Sequence, residues 1–257
     1  MSQVITTPAT GGPIVIDGGW ENLSVVTPTP TSKLEQAWEI IVEDFPFALW
    51  ETLYATILAT AFAIAIGLPL GMLLVAGDKK GIYPLPSLLM KTLNVAINLL
   101  RSVPFVILMV TVIPLTRLIV GTPIGTVASI VPLVIAAFPF VARLVEGSLR
   151  EVNPNIIETA QSMGATPMQI LLRVMLPESV PSLISNFTLA ITTIMGYTAM
   201  SGTVGGGGIG MIAYNHGYLR YKAIVLYAAV IVLVIITQIL QSFGTWLSKK
   251  CDKRLKK

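Results

Sequence analysis

The chain has 257 residues, of which 54% are hydrophobic and 12% charged, and its formal net charge is +4. An ordinary soluble domain carries about 25% charged residues, so this composition excludes an ordinary soluble enzyme or binding module and predicts an integral membrane protein. The single cysteine, Cys251, has no partner for an intrachain disulfide and therefore gives no information on the redox compartment.

The N-terminal region, residues 1–47, is acidic and is predicted to be an extracytoplasmic extension. Its TPTPTS sequence is typical of a flexible linker. Apolar residues then recur at helical spacing, at Leu34, Trp38, Ile41 and Phe45. They predict an amphipathic helix that either lies on the outer membrane surface or packs against the first span.

Five apolar segments are long enough, at about 1.5 Å per residue, to cross a hydrocarbon core of about 30 Å. They cover residues 50–76, 103–120, 122–145, 181–200 and 223–247. Some contain prolines, which are tolerated inside a membrane where neighbouring helices satisfy the freed carbonyls. The predicted fold is therefore an all-α integral membrane bundle with five transmembrane helices, occupying residues 48–248.

Basic residues predict the orientation of the spans. The basic groups are Lys79, Lys80 and Lys91 after the first span, Arg150 and Arg173 after the third, and the tail 249–257 after the fifth. All three groups follow odd-numbered spans and therefore fall on one side, which the positive-inside rule makes cytoplasmic. An odd number of spans puts the two termini on opposite sides. The N-terminus is then outside. No aromatic or groove-reading motif accompanies the basic tail, so no nucleic-acid partner is predicted.

The loop between the third and fourth spans, residues 150–180, is polar and carries two sets of helix boundaries. Asn153 followed by Pro154 predicts the start of one helix, and Gly164 predicts its left-handed end. Thr166-Pro167-Met168-Gln169 fits a capping box that starts a second helix, which is predicted to stop at Pro177.

The second predicted helix has one apolar face, formed by Ile170, Leu171, Val174 and Met175. Two well-delimited helices at a membrane surface favour a docking element that inserts into a groove on a partner. A connector lying flat on the lipid is the alternative, but its basic face is too small for lipid anchoring.

The same loop resembles the signature loop of bacterial ABC importer permeases: Glu-Ala-Ala, three residues, Gly, nine residues, Ile, any residue, Leu-Pro. The matching residues are Glu158-Thr159-Ala160, Gly164 and Val174-Met175-Leu176-Pro177, with Thr159 in place of alanine and Val174 in place of isoleucine. The resemblance implies the type I permease fold. It also implies that this loop, with Ala165, Thr166 and Pro167, forms coupling helices that dock on a cytoplasmic ATPase.

Four further stretches are similar to the methionine-type branch of these permeases. They are RSVPF (101–105), ARLVEGSLREV (142–152), MGATPMQI (163–170) and GYTAMSGTVGGGGIG (196–210). This resemblance implies import of methionine, L or D. A permease for another small amino acid or analogue is the alternative. Residues 1–47 are longer than the branch leads us to expect.

The resemblance also implies the partners: two cytoplasmic ATPase subunits, a second copy of this chain, and an extracytoplasmic substrate-binding protein or lipoprotein. The chain has no G-x-x-x-x-G-K-[ST] sequence, so ATP and Mg²⁺ are expected on the partner ATPase.

No cofactor, metal site or catalytic residue is predicted, and His216 alone cannot form a metal site. GGGGIG (205–210) follows a span rather than a strand, which predicts a close-packed loop and not a dinucleotide site.

Met200, Tyr197 and Thr198 lie near the predicted outer end of the fourth span. The resemblance implies that this span lines the pathway, so Met200 is a candidate for an outer gate formed by two copies across a dimer axis.

A stand-alone ion-coupled carrier or channel is the alternative class. It is disfavoured because no Asp, Glu or His lies mid-span. A membrane-embedded enzyme is disfavoured because no nucleophile–base pair is visible.

Overall fold

The computed structural model of the chain describes residues 4–6, 13–15, 33–79 and 81–252. The described elements are almost all helical. They are α1 (Lys33–Glu43), α2 (Phe45–Ala76), α3 (Ser87–Ser102), α4 (Phe105–Thr111), α5 (Ile113–Val120), α6 (Thr126–Arg150), α7 (Pro154–Ser162), α8 (Pro167–Gln169), α9 (Leu176–Glu178), α10 (Val180–Ser201), α11 (Gly208–Ile212) and α12 (Ala223–Cys251). Two π-helical turns, Ile170–Met175 and Ala213–Leu219, and a 3₁₀ turn, Gly202–Val204, join them.

Within the described residues, four helices are long and apolar enough to cross a membrane: α2, α6, α10 with its 3₁₀ continuation to Val204, and α12. The pair α3 and α4 forms a fifth candidate that is bent by 105°. The predicted all-α membrane fold is confirmed. The spans predicted at 50–76, 122–145, 181–200 and 223–247 correspond to the four long helices, although the helix ends differ by several residues.

The second predicted span, 103–120, is wrong as a single helix. The chain breaks between α4 and α5, because Pro114 has no N–H to donate to the Val110 carbonyl and its ring crowds that oxygen. Pro104 likewise separates α4 from α3, and the preceding Val103 is extended, as residues before proline usually are. The bent pair therefore replaces the straight span.

Helix α3 was not predicted. Its polar residues Lys91, Asn94, Asn98 and Arg101 interrupt the apolar run that a span search requires. Only Ile97 of this helix is buried. An amphipathic helix of this kind can be recognised only together with the surface that it covers. Here that surface belongs to α6.

The centre of the bundle is the parallel pair α2 and α6, which are in contact along most of their length. Gly67 and Gly71 of α2, four residues apart, face Val141 and Val145 of α6. A Cβ on Gly67 would lie 2.8 Å from the Val141 Cβ, and one on Gly71 would lie 2.6 Å from the Val145 Cβ. Small residues at this spacing let two backbones approach within a membrane, where close packing drives association.

Helix α10 packs between α6 and α12 and is tied to both by hydroxyl and amide groups. The Asn186 side chain donates to Ser148 Oγ on α6 at 2.7 Å, and Ser248 Oγ on α12 donates to the Pro181 carbonyl at 2.8 Å. Interhelical hydrogen bonds of this kind supplement van der Waals packing between spans. The fourth predicted span is therefore the helix that joins the two sides of the bundle.

The N-terminal region contributes helix α1 and a short hairpin. Strands β1 (Val4–Thr6) and β2 (Pro13–Val15) pair antiparallel, and the sequence did not predict them. The predicted amphipathic helix is confirmed as α1, which buries Ala37 and Ile40 against α2 and α12. Trp38 is 68% exposed, as a residue at a membrane interface would be. The boundary at residue 47 stays a prediction.

Candidate functional site: the polar segment and the pathway helix

The polar segment, residues 153–179, starts with α7, and the two ends of this helix are formed as predicted. The Asn153 side chain accepts a hydrogen bond from the Asn155 amide at 3.0 Å, and Pro154 takes the first helical position. Gly164 has φ +77°, and the next amide, Ala165 N–H, donates to the Ala160 carbonyl at 3.1 Å. A left-handed glycine closes the helix and turns the chain towards the second helix.

The capping box of the second helix is confirmed. The Thr166 amide donates to Gln169 Oε1 at 2.9 Å, and the Gln169 amide donates to Thr166 Oγ1 at 3.4 Å. This exchange satisfies two amides that would otherwise lack a partner at the helix start.

The predicted stop at Pro177 is wrong. Helix α8 continues as the π-helical turn Ile170–Met175, and α9 runs through Pro177 to Glu178 before a break at Ser179. In the π turn the Leu176 amide donates to the Leu171 carbonyl, five residues back. The wider turn accommodates a proline ring that would crowd the carbonyl four residues back in an ordinary α-helix. The segment is thus connected to α10 by a nearly continuous helical path.

One face of the polar segment is anchored in the bundle core. Ile170, Leu171 and Met175 are buried, and Ala160 and Ala165 pack partly against the same core. Val174, the fourth member of the predicted apolar face, is half-buried. The apolar face therefore holds the segment to the spans rather than to an external partner.

The opposite face of the segment is exposed. Most of the signature residues lie there or at its edge: Glu158, Thr159, Gly164, Thr166, Pro167 and Pro177 are exposed, and Leu176 is half-buried. Two methionines that the sequence analysis did not single out flank the Gly164 turn, with Met163 82% and Met168 63% exposed. Methionine is flexible and polarisable and is common at binding surfaces. The exposed face has the composition of a protein contact surface.

The three residues named for the gate on α10 have different surroundings. Met200 is 49% exposed, on the same side of the helix as exposed Ser185, Leu189 and Gly196. Tyr197 stacks on Phe105 of α4, with ring centroids 4.8 Å apart. Thr198 is buried between α10 and α2, where its Oγ1 is 3.2 Å from Thr56 Oγ1. Met200 is open to a pathway or partner, whereas Thr198 is part of the helix packing.

The glycine-rich loop is closely packed, as predicted. Glu51 of α2 accepts from Thr126 Oγ1 at 2.7 Å and from the Gly208 amide at 2.9 Å, and Thr52 Oγ1 accepts from the Ile209 amide at 2.9 Å. Gly207 and Gly208 have positive φ, and a Cβ on Gly207 would overlap Thr126 Oγ1. The role of Glu51 was missed because its partners lie 75 and 157 residues away in the sequence.

A cleft of about 660 Å³ opens beside this loop, between α1, α2 and the second π turn, and is lined by Glu43, Asp44 and His216 among others. Burial lowers the pKa of His216, Arg220 and Lys222 lower it further, and Asp44 acts in the opposite direction. The His216 Nδ1 atom is buried and has no hydrogen-bond partner among the described residues. Within the described parts of the chain, no three His, Cys, Asp or Glu side chains are grouped so that they could hold a metal ion.

The sequence that forms this bundle is shared with known transport proteins. Residues 67–257 match the family described as the binding-protein-dependent transport system inner membrane component. The chain is 48% identical over 208 residues, 80% of its length and 92% of the other protein, to the probable D-methionine transport system permease protein MetI of Vibrio cholerae. It is 42% identical over 158 residues, 62% of its length and 71% of the other protein, to the methionine import system permease protein MetP of Bacillus subtilis.

The fold is shared with solved structures as well. A structure described as inward-facing conformations of the MetNI methionine ABC transporter superimposes with a TM-score of 0.80 and 41% sequence identity, covering 85% of this chain and 99% of that chain. An amino acid ABC transporter crystallised with histidines shares the fold alone, with a TM-score of 0.67, 15% identity and coverage of 84% and 96%. This helical arrangement is therefore that of a known group of transport proteins.

Proposed function

This chain belongs to the family of binding-protein-dependent transport system inner membrane components, and from that premise we propose that it is the membrane-spanning permease subunit of an ATP-driven methionine importer. Its sequence similarity covers nearly the whole length of relatives named as probable D-methionine permeases. That near-complete coverage at 44–48% identity is the observation that carries the substrate assignment. The substrate in this proposal is methionine, L or D.

ATP and Mg²⁺ bind to two partner ATPase subunits in this proposal, and the polar segment docks on them. Two structural features support this role. One face of the segment is fixed in the core by Ile170, Leu171 and Met175. The other presents Met163 and Met168 on either side of the Gly164 turn. A surface element that is rigidly joined to the spans can pass on a movement of its partner as a rigid-body displacement.

The membrane orientation in the proposal follows the positive-inside rule. The end with the polar segment and the basic C-terminus faces the cytoplasm, and α1 and the glycine-rich loop face outwards. The extracytoplasmic substrate-binding protein or lipoprotein then contacts residues 202–218 and α1. The exposed and acidic surface of α1, at Glu39 and Glu43, supports a polar contact at this end.

The pathway forms between two copies of this chain, related by a two-fold axis. Exposed Ser185, Leu189, Gly196 and Met200 recur at intervals of four or seven residues along one side of α10, which supports this side as the pathway face. Met200 of each copy meets its equivalent at the axis and closes the outer end.

Met200→Ala tests the gate. Shortening both side chains at the axis opens the outer end, so passive methionine leak through the assembled importer should rise about tenfold, which corresponds to a barrier lowered by about 1.4 kcal/mol. The measurement is efflux of labelled methionine from proteoliposomes without ATP. Leu189→Ala, on the same face but further from the outer end of α10, is the matched control. An unchanged leak would remove Met200 from the gate.

Gly164→Leu tests the docking of the polar segment. Gly164 and Gly121 both have positive φ, and a Cβ added at either position would have nothing within 4 Å, so leucine strains both backbones alike. Only Gly164 lies on the proposed ATPase contact. In mild detergent, the wild type and Gly121→Leu should retain a stoichiometric ATPase subunit and Gly164→Leu should lose it. ATP-dependent uptake of L- and D-methionine in proteoliposomes should follow the same pattern.

Two outcomes would contradict the proposal. If the wild type purifies without an ATPase and still transports after reconstitution, the chain is a carrier driven by an ion gradient. If Gly164→Leu retains the ATPase as well as Gly121→Leu does, the docking surface lies elsewhere on the chain.

A further inference from the structure

A row of alternating charges crosses the end of the bundle next to the polar segment. Asp78, in the loop after α2, accepts from Arg150 at 2.9 Å, and Arg150 also donates to Glu146 Oε1 at 2.9 Å. The other oxygen of Glu146 accepts from Arg143 Nη1 at 2.6 Å. One carboxylate on α6 thus joins two arginines of the same helix, and one of these arginines reaches the loop that follows α2.

The row continues to α3 through the second arginine. Arg143 Nη2 donates to Asn98 Oδ1 at 3.1 Å and to the Asn94 carbonyl at 3.5 Å. Since Ile97 is the one buried residue of α3, these polar contacts are a main part of its attachment to α6. The charged row therefore links three elements: the end of α2, α6 and α3.

The inner part of the row is more buried than an ordinary surface ion pair. The side chains of Arg143 and Glu146 are 19% and 14% exposed, whereas those of Arg150 and Asp78 are 48% and 41% exposed. Bringing charges out of water is costly, and apolar residues of similar size would hold helices together at least as well. Such a row has a use beyond stability.

The position of the row indicates that use. Arg150 lies three residues before Asn153, the N-cap of α7, and Asp78 and Arg150 line the same cleft as Ile157 and Glu158 of α7. At its other end, α3 leads through Pro104 to Phe105, which stacks on Tyr197 three residues before Met200. A continuous series of contacts thus runs from the polar segment, along the charged row and α3, to the proposed gate.

We propose that Asp78, Arg150, Glu146 and Arg143 are positioning residues that make α3 move together with α6 and the polar segment, so that ATP hydrolysis is coupled to opening of the pathway. The inference rests on the proposed function. The row does not contact the transported amino acid or ATP. The row makes the bent pair α3 and α4 move together with the polar segment. Without it, ATP hydrolysis continues but α3 no longer follows the movement of α6.

The test compares ATP hydrolysis with transport in proteoliposomes that contain the complete importer with its ATPase and binding protein. The variants are Arg150→Gln and Asp78→Asn at the half-exposed end of the row, and Asn98→Leu, which removes the shorter of the two hydrogen bonds to α3 but leaves every ion pair in place. Arg150→Lys keeps the charge. Arg117→Gln is the control, since Arg117 is an exposed arginine of α5 that forms no ion pair among the described residues.

The quantity measured is the amount of methionine imported per ATP hydrolysed. We expect it to fall about tenfold in Arg150→Gln and Asn98→Leu, within the usual range of coupling energies. The hydrolysis rate itself should change less than about twofold, Arg150→Lys should recover most of the ratio, and Arg117→Gln should match the wild type. The double variant Arg150→Gln with Asp78→Asn should be no worse than the more impaired single variant, because each substitution already removes the Arg150–Asp78 ion pair.

An unchanged ratio in Asn98→Leu and Arg150→Gln would overturn the inference, and so would an equal fall in Arg117→Gln. If Arg150→Gln does not assemble, Asn98→Leu and Asp78→Asn decide the question at exposed or half-exposed positions. A wild type without any ATP-dependent import would instead contradict the proposed function, and that result is visible before any variant is made.

Discussion

At one end of the bundle the glycine-rich loop is held by backbone amides bonded to Glu51 and Thr52, with glycines pressed against neighbouring atoms. At the other end the polar segment is held by an apolar face, Ile170 to Met175, and by side-chain ion pairs beside it. The first end has no room for a Cβ at several positions, whereas the second leaves Gly164 entirely open.

The difference follows from what each end has to do. Backbone-to-backbone approach gives a single rigid arrangement, since a closely packed contact cannot deform gradually. At the polar segment, an apolar face and the neighbouring ion pairs fix the segment to the spans, while its opposite face stays exposed. The structure thus combines a closely packed loop at the proposed outer end with a segment at the proposed cytoplasmic end that is fixed on one face and exposed on the other.

The largest effect is expected where a side chain is added to the glycine-rich loop. A Cβ at Gly210 would overlap the Ala199 carbonyl, so Gly210→Ala should lower the free energy of unfolding by about 3 kcal/mol, at the upper end for overpacking. Thermal unfolding in detergent measures this change. Gly147→Ala is the control, because Gly147 lies within α6 with open space around its Cβ, and a helix gains about 0.5–1 kcal/mol from that replacement. Equal stability of the two variants would contradict the close packing of the glycine-rich loop.

A smaller effect is expected at the end with the polar segment. Thr166→Ala removes one partner of the capping box and should destabilise the second helix of the polar segment by about 1 kcal/mol. Because the cap lies on the exposed side of the segment, its loss should increase local opening there, and hydrogen exchange at the Gln169 amide should accelerate about fivefold while amides in α6 keep their protection. Thr122→Ala, an exposed threonine with only local bonds, is the control. Faster exchange in α6 as well would mean that the segment and spans unfold together.

The smallest effect concerns pH at the glycine-loop end. The pKa of His216 is lowered by burial, so the unfolded chain takes up this proton at a higher pH than the folded protein does. Its contribution to stability is therefore constant well above the ordinary histidine pKa of about 6.5 and decreases as pH falls through that value. Wild type should lose slightly more thermal stability than His216→Gln between neutral pH and pH of about 5.5. Identical losses would show that His216 does not contribute to the pH dependence of stability in this range.

Several features were predictable because their causes are local. Long apolar runs identified α2, α6, α10 and α12, since a chain in lipid has to satisfy its backbone hydrogen bonds within each span. The boundaries of α7 and the start of α8 were predictable for the same kind of reason. Asn153, Gly164 and Thr166 act on atoms within a few residues of themselves.

Other features depend on residues that are far apart in the sequence. The break in the second span was missed, although Pro104 and Pro114 are visible, because prolines are tolerated within α6 at Pro132 and Pro139. Whether a proline bends a span depends on the neighbours that satisfy the freed carbonyl. Helix α3 was missed because an amphipathic helix is recognisable only with the surface that it covers.

The sequence by itself determined the class of protein, the four long spans and the helix starts of the polar segment, because hydrophobicity and capping act over a single turn or a single membrane crossing. Only the tertiary structure decided how the elements meet: Glu51 with Gly208, Gly71 with Val145, and Arg143 with Asn98. These contacts join positions 45 to 157 residues apart. Their energy depends on distance and burial, and neither quantity is contained in the spacing of residues along the chain.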